Sequence, residues 1–514
     1  MKLFLRRNAP LFYALAAMLA LYIPWLNRGY LNYEWGTVLA GRGLSSSEEF
    51  YYLQAYKDSG HANPLGYPFL ISLLYRVFGY HDNFWIPRIP SLFAVGLLVF
   101  WGYVVTFCRG NGTVRRFFTF SLLLLLHPMI SAFSTSATTD LATVGLLLAS
   151  LMLLTLSSKY LSYGLTIGSA FFFGLSSSVK YITPVFCISV IIVFLNLNSV
   201  NPGRMVKVVN RFLIFGLISA AVLLVEIAWK WNYTGVFVST GIGGMKPNFF
   251  DVSGLLSTLI KYVTFLGLFT GGLPIFIASR FGGHTKRFWT RSTIFVAVVV
   301  TLGWIQSKPL GTGEMDLGGG FPFGDFANRT LQTIGFFSGA SLGLVIYRRF
   351  NSLDLLRRAL IIGLGPYLIL ISASRPTQRY LIYAIPIVLL ILVEALDELP
   401  KKVKYLAVGS TAIGFAAVSL LGMSYLTSQG NASEEMAVWV EENNLITQTS
   451  AGAISPHAGQ HFWGVKTTEI RYEIIAVTPA TEAQVQERIL HREPMKVLGK
   501  VTRIYLLREL PKAP

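Results

Sequence analysis

The chain is divided into apolar runs of about 16 to 22 residues that are nearly free of charge, and no other feature narrows the choice of fold as much. A helix of about 20 residues crosses the hydrocarbon core of a bilayer. In lipid every backbone N–H and C=O must be paired within its own segment or in a closed barrel. The runs therefore predict an all-α polytopic membrane protein. Composition agrees: 53% of the 514 residues are hydrophobic and mean hydropathy is +0.54. A net charge of +18 would suit nucleic acid if it formed a patch. Instead the Lys and Arg residues sit in short links between apolar runs, as expected for cytoplasmic loops, and no nucleic-acid motif spacing is present. Cys108 and Cys187 lie far apart, in or beside apolar runs, and give neither a disulfide framework nor a metal spacing.

Orientation follows from the basic links. Lys2, Arg6 and Arg7 place the N-terminus in the cytoplasm, ahead of an uncleaved signal anchor. About thirteen spans are then predicted, at roughly 9–27, 85–107, 117–133, 140–156, 162–178, 181–197, 212–231, 255–278, 292–307, 330–347, 359–373, 380–397 and 405–426. Each cytoplasmic link is basic under this assignment, among them Arg109/Arg115/Arg116, Arg204/Lys207/Arg211, Arg348/Arg349 and Lys401/Lys402/Lys404. The first external loop, 28–84, contains the short apolar stretch 64–79, which is predicted to lie along the interface. The chain divides into a transmembrane part, 1–429, and an external tail, 430–514. In the tail Glu434–Asn443 has helical spacing, and Thr468–Val477 and Lys496–Leu507 read as strands of a small α/β domain.

Within the first loop stands Ser47-Glu48-Glu49-Phe50-Tyr51-Tyr52, two adjacent acids beside a tyrosine pair in a chain with only 13% charged residues. A carboxylate near a low-dielectric interface can serve as a base or metal ligand, and the same stretch also reads as a solvated loop. Arg88, Asp140, Lys180, Asn232 and Arg379 likewise fall at external ends of spans. Asp140 reads equally as a helix N-cap, and Arg88 and Lys180 as interfacial anchors. Arg379 follows Arg375-Pro376-Thr377-Gln378, which puts two cations on the side cations avoid and suits a phosphate partner. Glu226, with Lys230 one turn on, is the main midplane candidate. The glycine-rich loop Gly311–Gly320 reads as flexible. His457 and His461 lack a third metal ligand at suitable spacing.

The order of these features resembles the GT-C superfamily of polytopic glycosyltransferases, especially its protein O-mannosyltransferase and aminoarabinose lipid A transferase branch. Glu48-Glu49-Phe50-Tyr51-Tyr52 is similar to the acidic motif of the family's first external loop, with Glu49 matching the key acid. Pro64 to Gly79 resembles the interfacial helix that follows. Arg88-Ile89-Pro90-Ser91 resembles the start of the second span. His127-Pro128 to Asp140 resembles the third loop, and Gly174-Leu175 to Lys180 a Gly-Leu-x-x-x-x-Lys segment. Asn232-Tyr233-Thr234-Gly235 and Arg379-Tyr380-Leu381 to Pro386 match two later motifs. The resemblance covers about residues 1–400. It departs in having Glu-Glu where the family usually has Asp, and Glu34 in Asn32-Tyr33-Glu34-Trp35 is an earlier acid of the same type.

The resemblance implies transfer of a sugar from a polyprenyl-phosphate donor to an acceptor hydroxyl of a glycan, lipid or protein, outside the cytoplasmic membrane and with inversion. It implies a base drawn from Glu49, Glu48 and Glu34, in that order, and a donor phosphate held by Arg379, with Lys180 or Arg88 next. Tyr52 and Asn232 fall within its motifs. Asp140 is assigned to orient the acceptor or to share a divalent metal ion, since some relatives use a metal and others do not. The rival class is a transporter or flippase of a lipid-linked or amphiphilic substrate, which explains the spans and external cations but leaves the large external loop and tail without a task. A third reading is a ligase or polymerase of surface polysaccharide.

Overall fold

The computed structural model describes residues 2–45, 64–79, 83–108, 113–160, 162–195, 202–234, 249, 251–281, 325–373, 378–450 and 470–510. Glu48, Glu49, Tyr52, the predicted span 292–307, the loop Gly311–Gly320, and His457 and His461 lie outside them. The helices in chain order are α1 (Lys2–Tyr22), α2 (Asn32–Ser45), α3 (Gly66–Phe78), α4 (Ile89–Tyr103), α5 (Val114–Leu126), α6 (Pro128–Ser134), α7 (Thr139–Tyr160), α8 (Tyr163–Val179), α9 (Cys187–Leu195), α10 (Pro202–Thr234), α11 (Val252–Phe269), α12 (Leu273–Phe281), α13 (Asp325–Arg349), α14 (Leu355–Ser372), α15 (Ile385–Ala395) and α16 (Lys401–Glu442).

Among the described residues eight helices are long and apolar enough to cross a membrane, or nine if the bent pair α5–α6 is one span. They match nine of the thirteen predicted spans. Of the other four, 292–307 is outside the described residues. The span at 162–178 is the 17-residue α8. Those at 181–197 and 380–397 begin as 3-10 turns, Thr183–Phe186 and Gln378–Tyr383, and continue as α9 and α15, of 9 and 11 residues. Proline is one physical reason. Pro184 and Pro386 each stand in the first turn of their element, where the missing N–H costs little but the ladder cannot extend upstream. Pro128 does the same between α5 and α6, which meet at 65°. The stretch 64–79 is the 13-residue α3, too short to span, as expected of an interfacial helix.

Burial sorts the helices into inner and outer ones. Nearly every residue of α15 is buried, the mark of a helix apolar all round that sits in the core. In the Thr139–Ser157 window of α7, 83% of residues are buried, against 11% in the Val206–Asn232 window of α10. The outer face of α10 is therefore apolar surface left for lipid. Close helix crossings use glycine, since association within lipid depends on packing rather than on the hydrophobic effect. Gly335 and Gly339 of α13 face Gly267 of α11, and a Cβ built on Gly267 would stand 1.9 Å from the Gly335 carbonyl oxygen.

Polar groups gather at the two ends of the helices. At one end lie the basic links, where Arg116 and Lys404 both pair with Asp397, Arg349 pairs with Glu398, and Arg357 pairs with Asp354 and Glu394. Asp140, Lys180 and Arg379, predicted for the other side, lie at the opposite end.

The tail differs from its sequence reading in two places. The last span and the helix expected at 434–443 are one continuous helix, the 42-residue α16. At 1.5 Å per residue it is about 63 Å long, twice the hydrocarbon thickness, so it runs on beyond the membrane. No proline interrupts it, and a lone glycine such as Gly430 costs only about 1 kcal/mol. The run 496–507 is likewise not one strand. Positive φ at Leu498 and Gly499 turns the chain between β3 (Ile489–Val497) and β4 (Lys500–Glu509), a two-residue hairpin loop with both central residues left-handed. With β1 (Thr449–Ser450) and β2 (Tyr472–Val477) these form a four-stranded sheet of order β1-β2-β4-β3, in which only the β1–β2 pair is parallel. β3 escapes a sequence reading because Pro494 and two register shifts break its alternation.

Candidate functional site

The construction starts from a buried acid. Glu34, in the first turn of α2, is fully buried. Its Oε1 accepts from Arg88 Nε at 3.0 Å and from the Ala137 N–H at 2.7 Å. Its Oε2 accepts from Arg28 Nη1 at 2.8 Å, from the Leu31 N–H at 2.9 Å and from Arg88 Nη2 at 3.1 Å. A carboxylate has about four lone-pair sites, so five donors saturate it. Burial pushes its pKa up, but Arg28, Arg88 and these hydrogen bonds outweigh burial and hold it at about 2. Of the three acids proposed as base, Glu34 thus has no capacity left to take a proton. It acts as an anchor.

Arg88 is equally committed. It is fully buried, donates to the carbonyls of Leu26, Arg28 and Gly29 as well as to Glu34, and lies 5.1 Å from the centre of the Tyr30 ring. Its guanidinium is thus spent on Glu34 and on backbone carbonyls. Arg28, which the sequence reading passed over, donates on to the Thr135 carbonyl at 3.0 Å and to Ser136 Oγ at 2.9 Å. Its one signal was a cation just past the end of span one, on the side where cations are disfavoured. The result is a clamp. The chain after α1, the start of α2, the start of α4 and the loop 135–138 are held on one carboxylate, and Ser91 Oγ adds a hydrogen bond to the Thr138 carbonyl at 3.3 Å.

The clamped loop runs directly into Asp140. The carboxylate is buried and stands one residue inside α7, where a negative charge favours the helix N-terminus. It pairs with Lys180, the residue that ends α8. Lys180 is half-buried, and its Nζ lies 4.6 Å from the centre of the Tyr380 ring. The guanidinium of Arg379 lies 5.4 Å from the same ring. Tyr380 itself is buried and its carbonyl accepts from Tyr367 Oη at 2.7 Å. So Asp140 pairs with Lys180, and the Lys180 ammonium is brought to the ring of Tyr380, the sequence neighbour of Arg379. Two cations stand at one tyrosine, one of them paired with Asp140, a grouping that suits recognition of a phosphate.

Other predicted residues are placed elsewhere. Asn232 is exposed near the end of α10. Glu226, on the same helix, contacts the start of α3 and the turn after Lys180 rather than an open path. His127 caps α6 through Nδ1, which accepts from the Met129 N–H at 3.2 Å, while Nε2 lies 2.9 Å from the Phe269 carbonyl oxygen. Both nitrogens hold the α5–α6 bend. Among the described residues no three His, Cys, Asp or Glu side chains stand together as a metal set, and Asp140 faces the Lys180 ammonium.

The C-terminal helix crosses this region. Gly29, next to Arg28, touches Gly430 of α16 backbone to backbone: a Cβ built on either would lie 2.3 Å from the other's carbonyl oxygen. The Gly29 N–H donates to Asn431 Oδ1 at 3.0 Å.

No family model matches the chain, and no curated protein matches it. Among solved structures it is similar to ArnT from Cupriavidus metallidurans bound to undecaprenyl phosphate, with 12% identity and a TM-score of 0.44 over 97% of this chain and 98% of that one. The apo state of the same ArnT aligns with 12% identity and a TM-score of 0.42 over 98% of both chains. The Archaeoglobus fulgidus oligosaccharyltransferase tethered to an acceptor peptide is similar with 12% identity and a TM-score of 0.44, over 85% of this chain and 57% of that one. At this distance the functional reading rests on the residues themselves.

Proposed function

We propose that this chain is a membrane glycosyltransferase that moves a sugar from a polyprenyl-phosphate donor to an acceptor hydroxyl on the external face of the cytoplasmic membrane. The observation that carries this reading is the Asp140–Lys180 pair standing at the ring of Tyr380, next to Arg379, at the end of the helices opposite the basic links. A lipid phosphate suits that place. Its tail would lie among apolar helices, and its charge would meet the two cations. The outer face of α10 adds apolar surface of the kind a polyprenyl chain contacts.

In the proposed reaction the acceptor oxygen attacks the anomeric carbon, and the bond from that carbon to the phosphate oxygen breaks. The hydroxyl proton passes to a carboxylate, Glu49 first and Glu48 second. The electron pair leaves with the polyprenyl phosphate, whose growing charge Lys180 and Arg379 stabilise. One displacement inverts the anomeric carbon. Asp140 sets the Lys180 ammonium, and in this reading it also orients the acceptor. With Glu34 saturated, the base falls to the Glu48–Glu49 pair. The transporter alternative gains nothing from its main midplane candidate, since Glu226 and Lys230 are bound to the interfacial helix and the turn beside Lys180.

The test is transfer by purified protein from a polyprenyl-phosphate sugar, read by mass spectrometry, with the acceptor identified by comparing envelope glycans, lipids and proteins with and without the protein. Glu49→Gln is expected to abolish transfer and keep donor binding. Full turnover by that variant removes Glu49 from the mechanism, and translocation in liposomes without a covalent product removes the enzyme reading.

A further inference from the structure

One buried ionisable group stands beside the site without taking part in it. Glu226 on α10 is 6% exposed and Lys230, one turn on, is fully buried. A Glu–Lys spacing of four on a helix is commonly a simple ion pair. Here a third group from another element enters between them. Tyr181 Oη donates to Glu226 Oε2 at 2.8 Å, while Lys230 Nζ donates to Tyr181 Oη at 2.5 Å and lies 4.5 Å from the centre of the same ring. Tyr181 is the neighbour of Lys180. The other oxygen of Glu226, Oε1, accepts from the Leu65 N–H at 2.8 Å, and Leu65 is the N-cap residue of α3. The ends of α3 and α8 are pressed together at this place: a Cβ built on Gly66 would stand 2.5 Å from the Ser178 carbonyl oxygen.

Burying a carboxylate and an ammonium costs several kcal/mol per ion before their partners repay it. We propose that Glu226 is a positioning residue for Lys180. Through the Tyr181 hydroxyl it sets the turn that carries the Lys180 ammonium, and through the Leu65 N–H it holds the first turn of the interfacial helix α3 against that turn. Lys230 supplies the countercharge and keeps the Tyr181 hydroxyl pointed at Glu226. This inference rests on Lys180 being a donor-phosphate cation. The consequence is specific: loosening the Tyr181 hydroxyl displaces Lys180, so donor affinity falls while the base and the acceptor are untouched.

The experiment measures binding of an unlabelled polyprenyl phosphate to detergent-purified protein by intrinsic tryptophan fluorescence, alongside donor KM, kcat and the melting temperature. Tyr181→Phe keeps the ring and removes the hydroxyl. It is expected to weaken lipid-phosphate binding and to raise donor KM by about tenfold, the size of one charge-assisted hydrogen bond, with kcat within about twofold. Glu226→Gln is expected to move both in the same direction, and it serves as the readout should Tyr181→Phe fail to fold. Lys180→Ala is the reference. If Lys180→Ala weakens binding and neither of the other variants does, the positioning role is overturned and the donor site stands. If Lys180→Ala leaves binding unchanged, the donor site itself is wrong and this inference falls with it.

Discussion

Glu34 offers the sharpest test, because two readings of one acid predict different failures. As a catalytic base, Glu34→Gln would leave a stable, inactive protein. As the anchor seen in the structure, the same change would cost stability first. The cost can be reached by two routes. A carboxyl held at about 2 rather than at 4.5 contributes about 3 kcal/mol at neutral pH. Its folded pKa is depressed, so this contribution is present above 4.5 and is lost as pH falls through the window from about 4.5 to 2. The second route counts partners. A carboxamide placed with its oxygen at the Oε2 position serves three of the five donors and turns its N–H groups toward Arg88 Nε and the Ala137 N–H. It also removes the charge that two buried guanidiniums share, and breaking a buried pair on one side costs about 3–5 kcal/mol. The terms overlap and are not summed. Both routes arrive near 3 to 5 kcal/mol, a large share of the roughly 5–15 kcal/mol that holds a domain together. Glu34→Gln is therefore expected to lower the melting temperature in detergent by several degrees and to reduce the yield of monodisperse protein. Glu34→Ala is expected to be worse, since it also opens a cavity. An unchanged melting temperature in Glu34→Gln, together with lost transfer, would refute the anchor and restore Glu34 as a base.

Three further outcomes follow from the packing. Gly430→Val must push a side chain into the Gly29 carbonyl, so it is expected to destabilise by about 1–3 kcal/mol or more, seen as a lower melting temperature, and to reduce transfer because Gly29 adjoins the Arg28–Glu34 clamp. Gly339→Val places a branched side chain against the Val263 carbonyl of α11, where a Cβ alone stands 2.4 Å from the oxygen; a thermal scan is expected to show a loss of similar size, and wild-type melting would mean that the two helices cross differently. In the tail, Glu493 is pushed up to about 7, chiefly by burial and then by its hydrogen bond with Glu435, with Lys496 opposing. Its folded pKa lies above its unfolded one, so its stabilisation is full below about 4.5 and is lost as pH rises to 7. His491, 3.6 Å from Glu493 and stacked on Trp439, has its pKa lowered by burial, so its own contribution rises as pH climbs toward 6.5 and partly offsets the Glu493 loss. The melting temperature is expected to fall across that pH range, and Glu493→Gln to flatten the fall; an equal slope in the variant would exclude the pair as its source.

Much of this protein could be read from one dimension. Charge-free runs specify membrane-crossing helices, because the bilayer imposes one length and one rule of backbone satisfaction on each run separately. Nine of the thirteen predicted spans appear as such helices. The residues worth attention were visible for the same reason: Asp140, Lys180, Arg88 and Arg379 are charges where apolar helices end. Their roles were not visible. Arg88 and Lys180 look alike in sequence, each a lone cation at a span end, yet one is fully buried on Glu34 and the other shares the Tyr380 ring with Arg379. That difference depends on which other elements arrive, and hydrogen bonds between residues over a hundred positions apart, such as Glu34 with the Ala137 N–H, leave no trace in local spacing. The same holds for Glu226 and Lys230, whose spacing announces a helix pair while the hydroxyl between them comes from another element. Local periodicity sets where each helix begins and ends. Only their packing decides which charge is buried on the scaffold and which stands at a helix end beside an aromatic ring.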